Sequence, residues 1–413
     1  MRSAMSGPGC TARVERGYRS VRISCIDELA LAMRFASHLS SFQLQRIHAE
    51  QAMRPLRFHW CAPRGDGNTK ASEKDLANEL NLDGMIDFVQ EAEDLGVDSL
   101  LMGIGFHLPD PLPLIGALVR ETRKVTFILA YRPGLMPPTL FAQVVNTISW
   151  MSGKRISLNI VAGISPEEQA YYGDYLQHDD RYRRTDEYLA VLQRFWHGES
   201  PITHEGEHYR LSGAKLGLPY KDGDRPRLYL SGASQQAQES AVRWGDCWLR
   251  YGDTPEGIAA ASRFVRDAGR EVGIRMHVLA RETHAEVLAE IKAMMANPDE
   301  QHRRNVREFV SHCDSQAVKT SFRLAEQAVD EWLSPVLWSG AVAYRGGPAL
   351  CLAGSYEDVA QSLMQYKKAG VTEFIFSGWP TRGEMRRFFQ HVVPLVRKLE
   401  ANEGEHEEIA LVI

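Results

Sequence analysis

The chain lacks any apolar run of about 18 residues that could cross a bilayer, and with a formal charge of -5 it has no basic field to draw nucleic acid. Membrane and nucleic acid are therefore not the expected partners. Cysteine is sparse: Cys10, Cys25, Cys61, Cys247, Cys313 and Cys351 lie far apart, with no CxxC pair and no secretory leader. Such thiols are expected to be reduced in a cytoplasmic protein, and no spacing of His, Cys and carboxylates reads as a metal site. Residues 1–52 lack lysine altogether while carrying seven arginines, and their opening "MRSAMSGPGCTARVERGYRS" has no hydrophobic period. Asp27, Glu28 and Glu50 spoil the acid-poor pattern of a transit peptide, so this segment reads as a disordered extension or as the product of an upstream start, Met53 standing just before the first good strand.

What the chain does have, from residue 57 onward, is alternation. Short runs rich in β-branched residues occur at 57–61, 98–104, 124–130, 155–161, 226–232, 246–252, 274–280 and 372–378. Between them lie amphipathic runs such as "LDGMIDFVQEAEDLG" and "DRYRRTDEYLAVLQRFWHG", each ending at a glycine suited to a helix C-cap. Eight strands close a barrel, so an α/β fold of the (β/α)8 TIM-barrel kind is expected over residues 53–400, followed by an acidic and then apolar tail at 401–413.

Two stretches depart from the repeat. "GESPITHEGEHYRLSGAKLG" (198–217) reads as a hairpin turning at Glu205-Gly206, and residues 298–355 form a long insertion between strands seven and eight. The insertion starts helically and ends in "SPVLWSGAVAYRGGPALCLAGS" (334–355), which has neither the strand nor the helix period and carries one charge, Arg345, before a Gly346-Gly347-Pro348 turn. A long loop at the C-terminal end of a barrel strand is a candidate lid, or else a decoration packed on the rim.

Three stretches carry polar groups in apolar settings. In "GIRMHVLARET" strand alternation puts Arg275 and His277 on one face, either in the barrel or toward the helix layer. Inside the mouth they would meet a substrate; elsewhere Arg275 would be a structural cation paired with a carboxylate. "PRLYLSGASQQAQES" places Ser231, Gly232, Ala233 and Ser234 between a strand and a helix start, where small residues let a phosphate reach unpaired N–H groups. Asn159 ends the strand "RISLNIVAG", and "DRYRRTDEY" sets Asp179 and Asp180 near a helix N-cap with Tyr182 in the first turn. Asn159 either meets a heteroaromatic edge or simply starts a turn.

In order and spacing, "RGDG" (64–67), "YRPGLMPPT" (131–139), "SGKRISLNIVAG" (152–163), "DRY" (180–182), "SGAKL" (212–216), "IRMHV" (274–278), "SPVLWSG", "YRGG" (344–347) and "SGWP" (377–380) resemble the bacterial luciferase-like flavin monooxygenases. Within them the alkanesulfonate monooxygenases are most similar, from about Arg57 to Leu399. The resemblance implies reduced FMN delivered by a separate NAD(P)H-dependent flavin reductase, O2 as oxidant, a small-molecule substrate and a homo-oligomer. An alkanesulfonate would leave as aldehyde and sulfite. It puts the phosphate turn on Gly232, Ala233 and Ser234, beside Ser231, and flavin-facing residues on Asn159 and Tyr182. Active-site roles fall on Arg275 and His277, and a lid arginine on Arg345.

Three positions depart from the sulfonatase pattern, and all bear on the substrate. Leu108, beside His107 in "GFHLPD", stands where a cysteine is expected; Trp379 replaces the tyrosine of "SGYP"; Tyr251 replaces a tryptophan after strand six. Trp379 keeps an N–H donor in that catalytic position but has no phenol to give or take a proton. Other readings therefore stay open: the same flavin chemistry on a non-sulfonate (carbonyl insertion, N-hydroxylation or a biosynthetic oxidation), a deazaflavin-dependent reductase, or a flavin binder without turnover.

Overall fold

The computed structural model describes residues 48, 50, 51, 53–63, 66–68 and 80–412, with side chains through residue 403. Contacts divide the chain into residues 1–38 and 39–413, and everything described lies in the second unit. The expected disorder of 1–52 thus falls almost wholly outside the described residues, as do Arg64 and Gly65 of the "RGDG" motif. At the end of that segment His48 and Gln51 reach the carbonyls of Arg266 and Gly269, at 3.1 and 3.2 Å.

The first half of the barrel runs β1 (Arg57–Cys61), α1 (Leu82–Asp94), β2 (Ser99–Met102), α2 (Pro111–Glu121), β3 (Thr126–Tyr131), α3 (Pro138–Ser152) and β4 (Ile156–Ile160). Helices α4 (Pro166–Tyr171) and α5 (His178–Trp196) follow, then the antiparallel hairpin β5 (Ile202–Glu205) and β6 (Arg210–Ala214). The second half is β7 (Arg227–Ser231), α6 (Gln235–Trp244), β8 (Cys247–Tyr251), α7 (Pro255–Asp267), β9 (Glu271–Arg281) and α8 (His284–Met294). The insertion contributes α9 (Glu300–His312), α10 (Gln316–Gln327), β10 (Trp332–Ser334), β11 (Leu337–Trp338), α11 (Val342–Arg345) and β12 (Cys351–Ser355). Helix α12 (Tyr356–Lys368), β13 (Glu373–Ser377), α13 (Thr381–Arg387) and α14 (Val393–Val412) finish the chain, so the tail from 401 continues the last helix.

Parallel pairing closes β1-β2-β3-β4-β7-β8-β9-β13 into a ring, since β9 pairs with both β8 and β13, and β13 with β1. The eight expected strands are the eight barrel strands. Helix α1 shows why the layers adhere: Met85, Phe88, Val89 and Ala92 recur at helical spacing and are buried, while Asn81 caps the start by accepting from Gly84 N at 2.8 Å. Such a cap is worth about 1 kcal/mol. Outward residues of the strands meet this helix layer, Phe58 packing edge-on against Phe388 at 5.2 Å between ring centroids.

Inward residues follow from the register. At the N-terminal end of the strands Arg57, Arg227, Glu271 and Glu373 form one ion-pair network, with His59 and Tyr229 also bonded to Glu373 at 2.9 Å each. Above it Ile128, Cys247, Leu249 and Ile375 make an apolar layer. Arg275 and His277 come next on the same inward face, because Gly273 and Glu271 precede them at period two.

The end of the insertion, expected as a lid or as a decoration packed on the rim, packs into the fold. Residues 337–342 and 349–354 are buried, β11 pairs antiparallel with β10 and β12, and β12 runs parallel to the upper half of β9. No period shows in that stretch because its strands are only two to five residues long and are covered on both faces. By contrast α9, earlier in the insertion, buries no residue.

Candidate active site

The turn after β7 is built by one glycine. Gly232 has φ 141°, and a Cβ there would stand 2.8 Å from the Tyr182 hydroxyl and 2.7 Å from Ala237 Cβ. Only glycine leaves that space open. Trp248 Nε1–H donates to the Gly232 carbonyl at 2.8 Å, and Gly232 N–H donates to Leu249 O at 3.2 Å, which fixes the turn to β8. Ser234 caps α6 by accepting from Ala237 N at 3.2 Å. Among the described residues the N–H groups of Ala233, Ser234 and Gln235 meet no acceptor, and the positive end of the α6 dipole lies behind them. An anion such as a phosphate fits this cradle.

The cradle opens on a cavity of about 180 Å³, many times the roughly 10–15 Å³ that one water needs. Asn159, Tyr182, Ser231, Tyr251 and Arg275 line it. Ser231 Oγ–H donates to Asn159 Oδ1 at 2.5 Å across the β4–β7 pair. Tyr182 lies just past the first turn of α5, since the helix begins at His178, after Gln177 at the N-cap position, whose side chain makes no capping bond. Its hydroxyl is pushed above the usual phenol range by burial, a hydrogen bond with Ser234 counteracting. Burial likewise raises Tyr251, against the nearby Arg275 charge.

At the far wall the polar groups converge. Arg275 donates to Met276 O at 2.9 Å and to Ser377 Oγ at 3.1 Å, and has no carboxylate within ion-pair distance among the described residues. His277 gives its Nδ1–H to Pro348 O at 2.9 Å, leaving Nε2 as the basic nitrogen. Its pKa lies well below the usual imidazole value: burial is the main cause, the Arg275 and Arg345 charges add to it, and the Pro348 bond opposes it. The ring is neutral at physiological pH. Trp379 stacks on it with centroids 4.1 Å apart and planes 14° from parallel. The four residues expected to act together, Arg275, His277, Arg345 and Trp379, therefore share one neighbourhood.

His107 and Leu108 are placed apart from this cavity. They occupy a turn after β2, closed by Leu108 N–H to Gly105 O at 2.9 Å, where His107 is exposed against the Phe106 ring. Instead of a thiol at Leu108, the mouth has Cys61 at the end of β1, whose pKa is raised by burial against the influence and hydrogen bond of Arg275. Sequence reasoning missed Cys61, and also His178, Arg250, Pro348 and Ser315–Ala317, all but the first lining the cavity. Period two from Arg57 would have found Cys61. Ser315 caps α10 by accepting from Val318 N at 3.4 Å, and nothing local to that cap tells where the helix start lies.

Residues 56–373 match the family described as luciferase-like monooxygenase. Among solved structures, DmoA from Hyphomicrobium sulfonivorans is similar at 16% identity, covering 84% of this chain and 88% of that one with a TM-score of 0.70. EDTA monooxygenase from Chelativorans sp. BNC1 is similar at 20% identity, with coverages of 84% and 94% and a TM-score of 0.65. Riboflavin lyase, solved with modified FMN and riboflavin, is similar at 18% identity, with coverages of 84% and 92% and a TM-score of 0.63. At these identities the likeness is one of fold.

Proposed function

Because the chain belongs to the luciferase-like monooxygenase family, we propose that it is a two-component monooxygenase that takes reduced FMN from a separate flavin reductase and oxygenates an alkanesulfonate or related organosulfur anion. The observation that carries the anion is the mouth itself: Arg275 is a strand-borne cation without a carboxylate partner among the described residues, beside a neutral His277. A cation kept from its counter-ion in a half-closed site is costly unless an anionic ligand completes it.

Reduced FMN, when bound, supplies the two electrons that let O2 deliver one oxygen atom to the substrate. In this reading the N–H groups of Ala233 and Ser234 hold its phosphate, and Tyr182, Asn159 and Ser231 line the way inward. Arg275 and Arg345 orient the sulfonate. His277 Nε2 accepts the proton that leaves the substrate carbon, its lowered pKa keeping the ring ready as a base. Trp379 holds that ring by stacking, and the tight packing of residues 349–354 keeps water from its far side. The balance is complete: one atom of O2 becomes the aldehyde oxygen, the other leaves as water, and the carbon–sulfur bond breaks to release sulfite.

The placement of Leu108 away from the cavity and of tryptophan at 379 supports a second reading, the same flavin chemistry on a different anion. Turnover of sulfonates, sulfones and ketones with reduced FMN from any flavin reductase separates the two. Sulfite released in step with O2 consumption supports the first; oxygenation of a ketone without sulfite supports the second; turnover only with a deazaflavin donor and no O2 defeats both.

A further inference from the structure

The insertion touches the site at two places, and one packed path joins them. At the first, Ser315, Gln316 and Ala317 at the start of α10 line the cavity. They are held there by the two residues before them. Cys313 Sγ–H donates to Ile164 O at 2.8 Å, and Asp314 Oδ2 accepts from Arg181 Nη2 at 2.6 Å. Arg181 is 1% exposed and also donates to Ala162 O and Leu176 O, each at 2.9 Å. It therefore rivets three segments: the loop after β4, the approach to α5 and the insertion. The next residue, Tyr182, reaches the Ser234 turn.

The second place is Pro348, which lines the cavity and takes the Nδ1–H of His277. Between the two places stands α10. A Cβ on Gly347 would lie 3.2 Å from Val318 Cα of that helix and 2.8 Å from the Tyr251 ring, so the 347–349 turn rests on the helix with nothing between. One residue past the turn, Leu350 O accepts from His277 N–H at 2.8 Å.

Resting on the functional reading above, we propose that Asp314 is a positioning residue: its pair with Arg181 seats α10 over the flavin cavity, and α10 in turn seats the Gly347–Pro348 turn that fixes which nitrogen of His277 is free. The physical content is a rigid lever. When the start of α10 is released, the Pro348 carbonyl loses its fixed position, and the imidazole no longer has one preferred tautomer. Neither Asp314 nor Arg181 need touch the reacting atoms.

The test uses the full chain and two variants, Asp314→Ala and the isosteric Asp314→Asn, the second guarding against a fold failure in the first. Histidine ring 15N spectra are recorded without any ligand, with His277→Gln marking the His277 signals, and reduced FMN is then titrated anaerobically. In the parent protein His277 should show a single Nδ1–H form. In either variant a mixture of tautomers should appear, and the Kd for reduced FMN should rise at least tenfold, with Asp314→Glu restoring part of both. Unchanged His277 signals in a folded variant, whatever its melting temperature, would overturn the lever. If the parent itself fails to bind reduced FMN, the functional reading falls, while the ligand-free spectra still decide the coupling.

Discussion

The same four strands present polar residues at both ends of the barrel, and the two ends treat charge in opposite ways. At the N-terminal end β1, β7, β9 and β13 bring Arg57, Arg227, Glu271 and Glu373 together, two cations facing two carboxylates. Four residues along, the same strands bring Cys61, Ser231, Arg275 and Ser377, with one cation and no carboxylate. The closed end is an ion-pair plug in which each charge has its counter-ion inside the fold. At the open end Arg275 has no carboxylate partner among the described residues. Under the proposed function one set of charges serves stability and the other serves binding, and substitutions at the two ends should separate these.

The largest effect is expected at the plug. Glu373→Gln removes the charge that Arg57 and Arg227 share, and breaking a buried pair on one side costs about 3–5 kcal/mol. Chemical denaturation should show that loss, while the folded fraction keeps its turnover within about twofold, inside the ordinary scatter of distant sites. Burial of Glu373 works against ionisation, but the His59 bond and the charges of Arg227 and Arg57 outweigh it and hold the carboxyl well below the usual range. The sign follows: the unfolded chain binds the proton more readily, so this stabilisation is complete above the ordinary glutamate pKa of about 4.3 and is lost as the pH falls toward the folded value. An acid-stability profile unchanged by Glu373→Gln would break the contrast.

At the mouth the split should reverse. Arg275→Ala should leave melting unchanged or slightly raised, since no ion pair is lost, and lower kcat/KM at least about a hundredfold, roughly 2.7 kcal/mol. It should also move the acidic limb of the rate profile upward, because the Arg275 charge is one of the causes that depress His277. A large loss of stability with kinetics intact would mean that both ends are structural.

Next comes the cradle. Gly232→Ala puts a methyl at φ 141° within 2.8 Å of the Tyr182 hydroxyl. Affinity for reduced FMN in an anaerobic titration should fall about thirtyfold, roughly 2 kcal/mol, with kcat at saturation little changed. Equal affinity would remove the phosphate assignment.

What could be read from the sequence divides along physical lines. The barrel was legible because short runs rich in β-branched residues alternate with amphipathic helices, several of them closed by a glycine, signals that depend on neighbours in the chain. Arg275 and His277 were legible as a pair on one face, yet which face needed the register to Glu271 and Gly273. Cys61 and Ser315–Ala317 were hidden because their meaning lies in closure: one joins Arg275 across the β1–β13–β9 seam, the others arrive from the insertion. The stretch 334–355 showed no period for a related reason, as burial of both faces at 337–342 and 349–354 erases the alternation that marks a half-buried strand.

The finest division lies within the mouth, between a cation on a barrel strand and one on the insertion. Arg345 ends the short helix α11, is only partly buried, and precedes Gly346 at φ 81°. Its charge reaches His277 but ranks below that of Arg275 among the causes of the lowered pKa. It should therefore contribute less: Arg345→Ala is expected to lower kcat/KM about tenfold, roughly 1.4 kcal/mol, with the melting temperature retained. Lysine should rescue poorly if the group grips two oxygens of a sulfonate with its planar fork, and well if only its charge is felt. Because the turn after it rests on α10, Arg345→Ala should leave the ligand-free His277 spectrum as in the parent, which separates a contact to substrate from the Asp314 lever. Steady-state kinetics paired with melting curves decide the point. A variant that melts lower at unchanged kcat/KM would make Arg345 part of the packed insertion and leave Arg275 as the cation that meets the substrate.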